Sequence, residues 1–248
     1  MFFSEDRILT KNHLPSLTDI NEGIVILIDK PHGWTSFDVV NKLRFKIKHS
    51  LKLKKIKVGH AGTLDPLASG LLIVCCGKAT KSIGQLQNLD KSYSGTMHLG
   101  ASTPSYDAES EPDHYYPTDH IDSSLIHSVV PEFTGPQMQV PPLFSAIKVN
   151  GKKGYELARR GSDISLDARS VMIHSFDIDA INLPVIHFIV SCSKGTYIRS
   201  LAHDFGKALG SGAYLSSLRR ESIDQFHVKD ALTVAEALDY IGSLEKPE

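Results

Sequence analysis

Apolar residues recur along the chain at two spacings, and each predicts its own kind of element. Ile24 to Ile28 is an unbroken apolar run closed by Asp29, Lys30 and Pro31, which predicts a buried strand. Thr35 or Ser36 then caps a helix in which Phe37, Val40 and Ile47 fall near helical spacing. A short strand at Lys57 to Val58 and a strong one at Leu71 to Cys76 bracket a loop, GHAGTLDPLASG, at residues 59 to 70. The pattern then gives a helix near Lys81 to Leu89, a strand near Tyr93 to Leu99 and an acidic loop around 101 to 122 that reads as an insertion. A short helix near Ser124 to Val130 and a Pro-rich loop from Gln137 to Pro142 complete the first half.

The second half opens with Ala146 to Val149 and an Asn150-Gly151 turn, a hairpin signal, followed by a short helix near Tyr155 to Arg160. Two strands are predicted near Val171 to Ile178 and Ile186 to Ser191. Thr196 to Leu209 reads as an amphipathic helix through Ile198, Leu201, Phe205 and Ala208. A strand near Ala213 to Leu218 precedes a last helix, opened by a capping box of Thr233 and Glu236. Strands neighbour strands as often as they neighbour helices, so the expected class is α+β with a mixed sheet. Residues 1 to 22, polar and irregular, read as an N-terminal arm ahead of one domain from 23 to 248.

Composition narrows the class of protein. The 248 residues are 41% hydrophobic and 22% charged, ordinary globular usage. The longest apolar runs fall far short of the roughly 20 residues that span a bilayer. MFFSEDR at the start carries an acidic pair where a secretory signal needs an apolar core, so the expected location is the cytoplasm. Three cysteines, Cys75, Cys76 and Cys192, are an odd number without CxxC spacing, and neighbours on a strand point to opposite faces. No disulfide framework and no metal site are expected. Asp113, His114, Asp119 and His120 read as a solvated loop.

The formal charge of −1 hides an asymmetry. From Asn41 to His60 there are eight basic residues, among them Lys42, Arg44 and Lys48, and no acid. From Ser92 to Ile147 there is no Lys or Arg. A local positive field beside a site suits a polyanion.

Three apparent motifs fail. Gly77-Lys78-Ala79-Thr80 looks like the end of a phosphate-binding loop, but the previous glycine, Gly70, is too distant and the intervening residues form an apolar strand. Gly210-Ser211-Gly212 lacks the third glycine of a dinucleotide fingerprint. The SxxK spacings at Ser145 and Ser191 have no companion motifs.

Asp65 is different. It follows a glycine-rich turn and precedes Pro66, which holds it in extended backbone. A carboxylate of ordinary pKa, about 3.9, is an anion at neutral pH and can serve as nucleophile or base without an activating partner. Its need is orientation. On its own an Asp-Pro pair also starts turns, so the residues alone leave a candidate Asp site beside a basic patch.

The whole string at 59 to 70, with Gly77-Lys78-Ala79-Thr80-Lys81, resembles the catalytic motif of the TruB-type pseudouridine synthases. Further blocks match in the same order: Asp29-Lys30-Pro31 with Gly33-Trp34-Thr35-Ser36, Lys91-Ser92-Tyr93, and Gln139 to Asn150 with Gly151-Lys152-Lys153. Tyr155 to Arg159, Cys192 to Arg199 and Leu218-Arg219-Arg220 continue the series. The resemblance covers about residues 23 to 240. It implies a pseudouridine synthase fold, with a mixed, mainly antiparallel central sheet flanked by helices and loops. It also implies an isomerase that needs no cofactor and converts a uridine in the T arm of tRNA, position 55 in tRNA numbering, to pseudouridine.

In that resemblance Asp65 is the nucleophile and Arg199 its orienting partner. Tyr93 stacks on the extracted base, Tyr197 and Leu218 contact it, and His60 occupies space vacated in the T loop. Lys30 supports the site or touches phosphate. The basic block from Lys42 to Lys57 faces the RNA backbone. The resemblance further implies a monomer. This sequence departs from the family in having Thr103-Pro104-Ser105-Tyr106-Asp107 where Thr-Asp-Thr is common, and Phe144 where many members have Tyr. Little chain follows Thr233, so the small C-terminal RNA-binding module of many relatives is not expected. Two rival readings are an RNA-folding chaperone that inserts into the T loop, disfavoured by the presence of both Asp65 and Arg199, and a guide-dependent rRNA synthase, disfavoured by the missing module.

Overall fold

The computed structural model describes residues 4–15, 20–145, 147–149, 152–154 and 166–244. The Asn150-Gly151 turn and the helix expected near Tyr155 lie outside the described residues. The chain divides into two compact units, Met1–Ser92 with Arg219–Glu248, and Tyr93–Leu218.

In the first unit, the strand Ile24–Lys30 runs antiparallel to Ala68–Cys76 with Ile26 opposite Val74. Ile8–Leu9 adds in parallel beside Val25–Ile26, so part of the segment read as an arm is a strand of the sheet. The other edge of Ala68–Cys76 is shared. Val58–His60 pairs with Val74 to Cys76, and the strand that includes Arg219 to Ile223 takes the remainder. Two strands cannot hold one edge at the same place, so the chain leaves the sheet after His60. The segment carrying Asp65 is the loop this creates.

Side chains of Ala68–Cys76 alternate between two apolar layers, as a period of two requires. Leu72, Val74 and Cys76 face one layer with Val39, Val40, Leu43 and Ile47 of the helix Ser36–Ser50 and Ala237 and Ile241 of the helix Val234–Ser243. Leu71, Ile73 and Cys75 face the other, with Leu86, Ile223 and Phe226. Each Val, Leu, Ile or Phe among them contributes about 1.5–3 kcal/mol on burial. Both cysteine thiols lie dry, which pushes the Cys75 pKa up to about 12 and raises that of Cys76.

Both helices begin on capping boxes. Thr35 Oγ1 accepts from the Asp38 N–H while Asp38 accepts from Thr35, and Thr233 and Glu236 repeat the arrangement. One expectation for the first helix fails. Phe37 is 61% exposed, because the buried stripe is set by Val39, Val40, Leu43 and Ile47 and leaves Phe37 on the opposite side. The helix expected near Lys81 to Leu89 is a 3-10 segment, Gly77–Ser82, running into the short helix Ile83–Gln87.

In the second unit, the strand order is the Ala213–Leu218 part of Ala213–Ile223, the Tyr93–Leu99 part of Lys91–Leu99, then Val185–Cys192, Arg169–Asn182 and Gly135–Gln139. The stretch read as a Pro-rich loop from Gln137 begins inside that last strand. Pro136 lies opposite Met172 on the outermost strand, the place in a sheet where a residue without an N–H is tolerated. Phe176, Phe188 and Phe205 pack as a tilted cluster between this sheet and the helix Ile198–Ala208. Ala101–Ser102 pairs with His114–Tyr115, which folds the acidic insertion back on itself.

Candidate active site

The loop around Asp65 is fixed by groups that reach it from elsewhere in the first unit. At its entry, the Ala61 N–H donates to Ile73 O at 2.9 Å. Ser36 Oγ lies 3.1 Å from Leu64 O and accepts from the Leu64 N–H at 2.9 Å. The Gly33 N–H donates to Pro66 O at 2.8 Å, and the Ala68 N–H closes a turn onto Asp65 O at 3.0 Å. The residues flanking Asp65 are therefore tied to the segment that starts the helix Ser36–Ser50. Asp65 itself stays partly exposed.

Arg220 supplies the deepest anchor. It is 1% exposed, and its guanidinium donates from Nε to Leu71 O at 2.7 Å and from Nη2 to Gly62 O at 3.1 Å, with Nη1 3.5 Å from Thr63 O. A planar fork suits this task, since its donors leave in fixed directions. Gly70 completes the fit. Its φ is +101°, and a Cβ there would stand 2.3 Å from Arg220 O. Alternation along the strand sends the neighbouring Arg219 to the other face, where it clasps Asp29 through two bonds of 3.0 and 2.7 Å.

Lys30 is fully buried. Its ammonium donates to Pro31 O at 3.0 Å and to Trp34 O at 2.6 Å, closing the segment that in turn holds Pro66 and Leu64. Burial lowers its pKa to about 8, against an opposing attraction from Asp65. His60 ends the strand Val58–His60 and is half-buried. Burial first, and the Arg220 cation second, lower its pKa, which favours the neutral ring.

The remaining predicted residues belong to the second unit. Tyr93 is 8% exposed on the strand Lys91–Leu99, and Leu218 is half-buried on Ala213–Ile223. Tyr197 directly precedes the helix Ile198–Ala208. The Gln139 side chain clasps its backbone, accepting from the Tyr197 N–H at 2.7 Å and donating to Tyr197 O at 3.0 Å. Arg199, 6% exposed, donates to Ser105 O at 3.1 Å and sets its Nε 3.5 Å from Asp107 Oδ2. Asp107 is fixed in turn by Ser105 Oγ at 2.6 Å and the Glu109 N–H at 3.0 Å. Thus the loop in which this sequence departs from the family pattern is the loop that seats Arg199.

Sequence reasoning singled out Asp65, Lys30, His60, Tyr93, Tyr197, Arg199 and Leu218 but assigned no role to Arg220, Asp107 or Gln139. Each of these three acts through a contact to a residue far away in sequence. Little in the sequence marks them: Arg220 stands between Arg219 and Glu221, and Asp107 follows Ser105 by two residues in a loop.

Residues 48–198 match the family model described as TruB family pseudouridylate synthase, N-terminal domain. A protein of Flavobacterium johnsoniae named tRNA pseudouridine synthase B is 54% identical over 86% of this chain and 93% of its own length. Proteins of the same name from Phocaeicola vulgatus and Chloroherpeton thalassium are each 49% identical, covering 93% and 89% of this chain and 98% and 91% of their own. Among solved structures, a chain of a Cbf5-Nop10-Gar1 complex superposes with a TM-score of 0.68 at 31% identity, covering 98% of this chain. This chain spans 65% of the length of that one. No helix among the described residues is long and apolar enough to cross a membrane. The chain belongs to the TruB family of pseudouridylate synthases.

Proposed function

We propose that this protein isomerises uridine to pseudouridine in tRNA, at position 55 of the T arm, with Asp65 as the nucleophile. The coarser part follows from the family and from relatives that carry the name tRNA pseudouridine synthase B over nearly their whole length. The finer part rests on one observation above all: a partly exposed carboxylate on a loop whose flanking residues are held by Ser36, Gly33 and Arg220. A nucleophile so mounted keeps its direction without rearrangement at the moment of reaction, the arrangement that makes proximity effective.

The glycosidic bond from N1 to C1′ breaks and a bond from C5 to C1′ forms; C5 loses its hydrogen as a proton to solvent and N1 takes one up, so the product is an isomer of the substrate. Nothing is oxidised or hydrolysed. The uracil must leave its stack to be turned, so the nucleotide is flipped into the site. Tyr93 is assigned to stack on the base, Tyr197 and Leu218 to contact it, and His60 to fill the space left in the T loop. Arg199 is assigned to orient Asp65. Of the two roles open to Lys30, support of the loop fits its full burial.

The test is release of tritium from tRNA transcribed with [5-³H]uridine, run beside a transcript in which position 55 is cytidine. Release of one equivalent from the first and none from the second is expected. Equal release from both would show that another uridine is the target.

A further inference from the structure

We propose that the outer face of the helix Ser36–Ser50 is a second contact surface for the RNA substrate, in which Phe37 and Phe45 stack on bases and Lys42 and Lys48 meet phosphates. The inference rests on the tRNA reading above and extends it to a surface away from Asp65. Its starting point is an anomaly of burial: Phe37 is 61% and Phe45 72% exposed, although the same helix buries four aliphatic side chains. Eight residues apart, the two rings fall on the same side of the helix, with Asn41 between them and Lys48 at the far end. Lys42 flanks this stripe.

Gly33, Trp34, Asn41, Lys42 and Phe45 line an open hollow of about 570 Å³ beside the rings. The only acid on its rim, Asp38, has its carboxylate engaged by Thr35 in the capping box. Asp38 keeps its charge there, but Lys42 and Lys48 outnumber it along this face, and the block from Asn41 to His60 holds no acid at all. Aromatic rings among lysines are the chemistry of single-stranded nucleic acid recognition, in which rings take bases and ammonium groups take the backbone. An apolar protein partner would find the rings but also the uncompensated lysines.

The face is also joined to the candidate site. Gly33 donates to Pro66, and Ser36 is bonded to Leu64, so the helix starts on the loop that carries Asp65. Phe37 is the second residue of that helix, directly after Ser36, so the face begins beside the loop.

Fluorescence anisotropy with labelled tRNA tests the proposal without relying on catalysis. The expected result for Phe37→Ala/Phe45→Ala is a Kd raised about tenfold. For Lys42→Ala/Lys48→Ala, a weaker affinity is expected, with a slope of log Kd against log salt that is shallower by about 1.4 to 1.8. All four side chains are exposed, so melting temperatures should match the wild type. Unchanged Kd in both variants would overturn the proposal and leave the rings to a protein partner. A wild type that binds tRNA yet releases no tritium would contradict the isomerase reading instead, and the Kd values would still decide the surface.

Discussion

The Nη2 of Arg220 donates to the carbonyl of Gly62 at 3.1 Å, and the Nε of the same side chain donates to Leu71 O at 2.7 Å. One buried guanidinium therefore grips both the entry of the loop bearing Asp65 and the strand by which the loop returns. Replacing Arg220 with Met would leave these carbonyls dry and without donors, at about 1–3 kcal/mol for each group. Arg220→Met is expected to lose about 2–6 kcal/mol of stability in urea unfolding, and the folded fraction should show a reduced kcat. Arg220→Lys should recover some stability and little kcat, because a single ammonium cannot hold the fork geometry. Full activity in Arg220→Met would remove the residue from any positioning role.

Gly70 gives an independent check on the same packing. With φ at +101° and Arg220 backbone 2.3 Å from the position of an added Cβ, Gly70→Ala forces the two strands apart. A loss of about 2 kcal/mol or more is expected by thermal or urea unfolding. A neutral effect would mean the strands are not this close.

Gln139 reads as an ordinary polar residue until its clasp on Tyr197 is seen. Gln139→Leu keeps the size and removes both hydrogen bonds, leaving the Tyr197 N–H to find water while Tyr197 O keeps the Leu201 N–H at 3.1 Å. The expected outcome is a stability loss of about 1–3 kcal/mol and, in steady-state kinetics on tRNA, a raised KM. Unaltered kinetics would show that the start of the helix Ile198–Ala208 is held by other means.

His203 offers a pH signature. Its ring stacks on Tyr106 with centroids 3.8 Å apart, and burial, helped by Lys207, lowers its pKa to about 4. The unfolded chain, near 6.5, binds a proton more readily than the folded one between those values. Stability thus increases with pH through that window and is lost as pH falls from about 6.5 towards 4. In His203→Phe, which keeps a stacking ring but cannot titrate, the unfolding free energy should vary less across the same range. Parallel profiles for the two proteins would contradict the assignment.

How much of this was legible beforehand follows from the range of each interaction. The capping box of Thr233 and Glu236 and the alternation that splits Cys75 from Cys76 are local, and the structure contains both. Phe37 shares the helical spacing of Val40 and Ile47 yet is exposed, because apolar residues on a helix carry no mark of which side the sheet will cover. The expected loop from Gln137 overlaps the strand Gly135–Gln139 because Pro141 and Pro142 follow it closely, and the edge position that admits Pro136 is decided by strand order, which no local pattern encodes. Asp65, Lys30 and His60 are singled out by the family pattern. Arg220 and Asp107 were not assigned roles, since their contacts, to Gly62 and Leu71 in one case and Arg199 in the other, exist only after folding.

The most direct test of the central claim is a single-turnover tritium-release assay with enzyme in excess over [5-³H]uridine tRNA, comparing wild type with Asp65→Asn. The substitution keeps the size of the side chain and removes the anion. The account predicts one equivalent released by the wild type and none by the variant, with tRNA affinity unchanged within a fewfold. Release by Asp65→Asn at a rate comparable to the wild type would contradict the assignment of Asp65 as nucleophile.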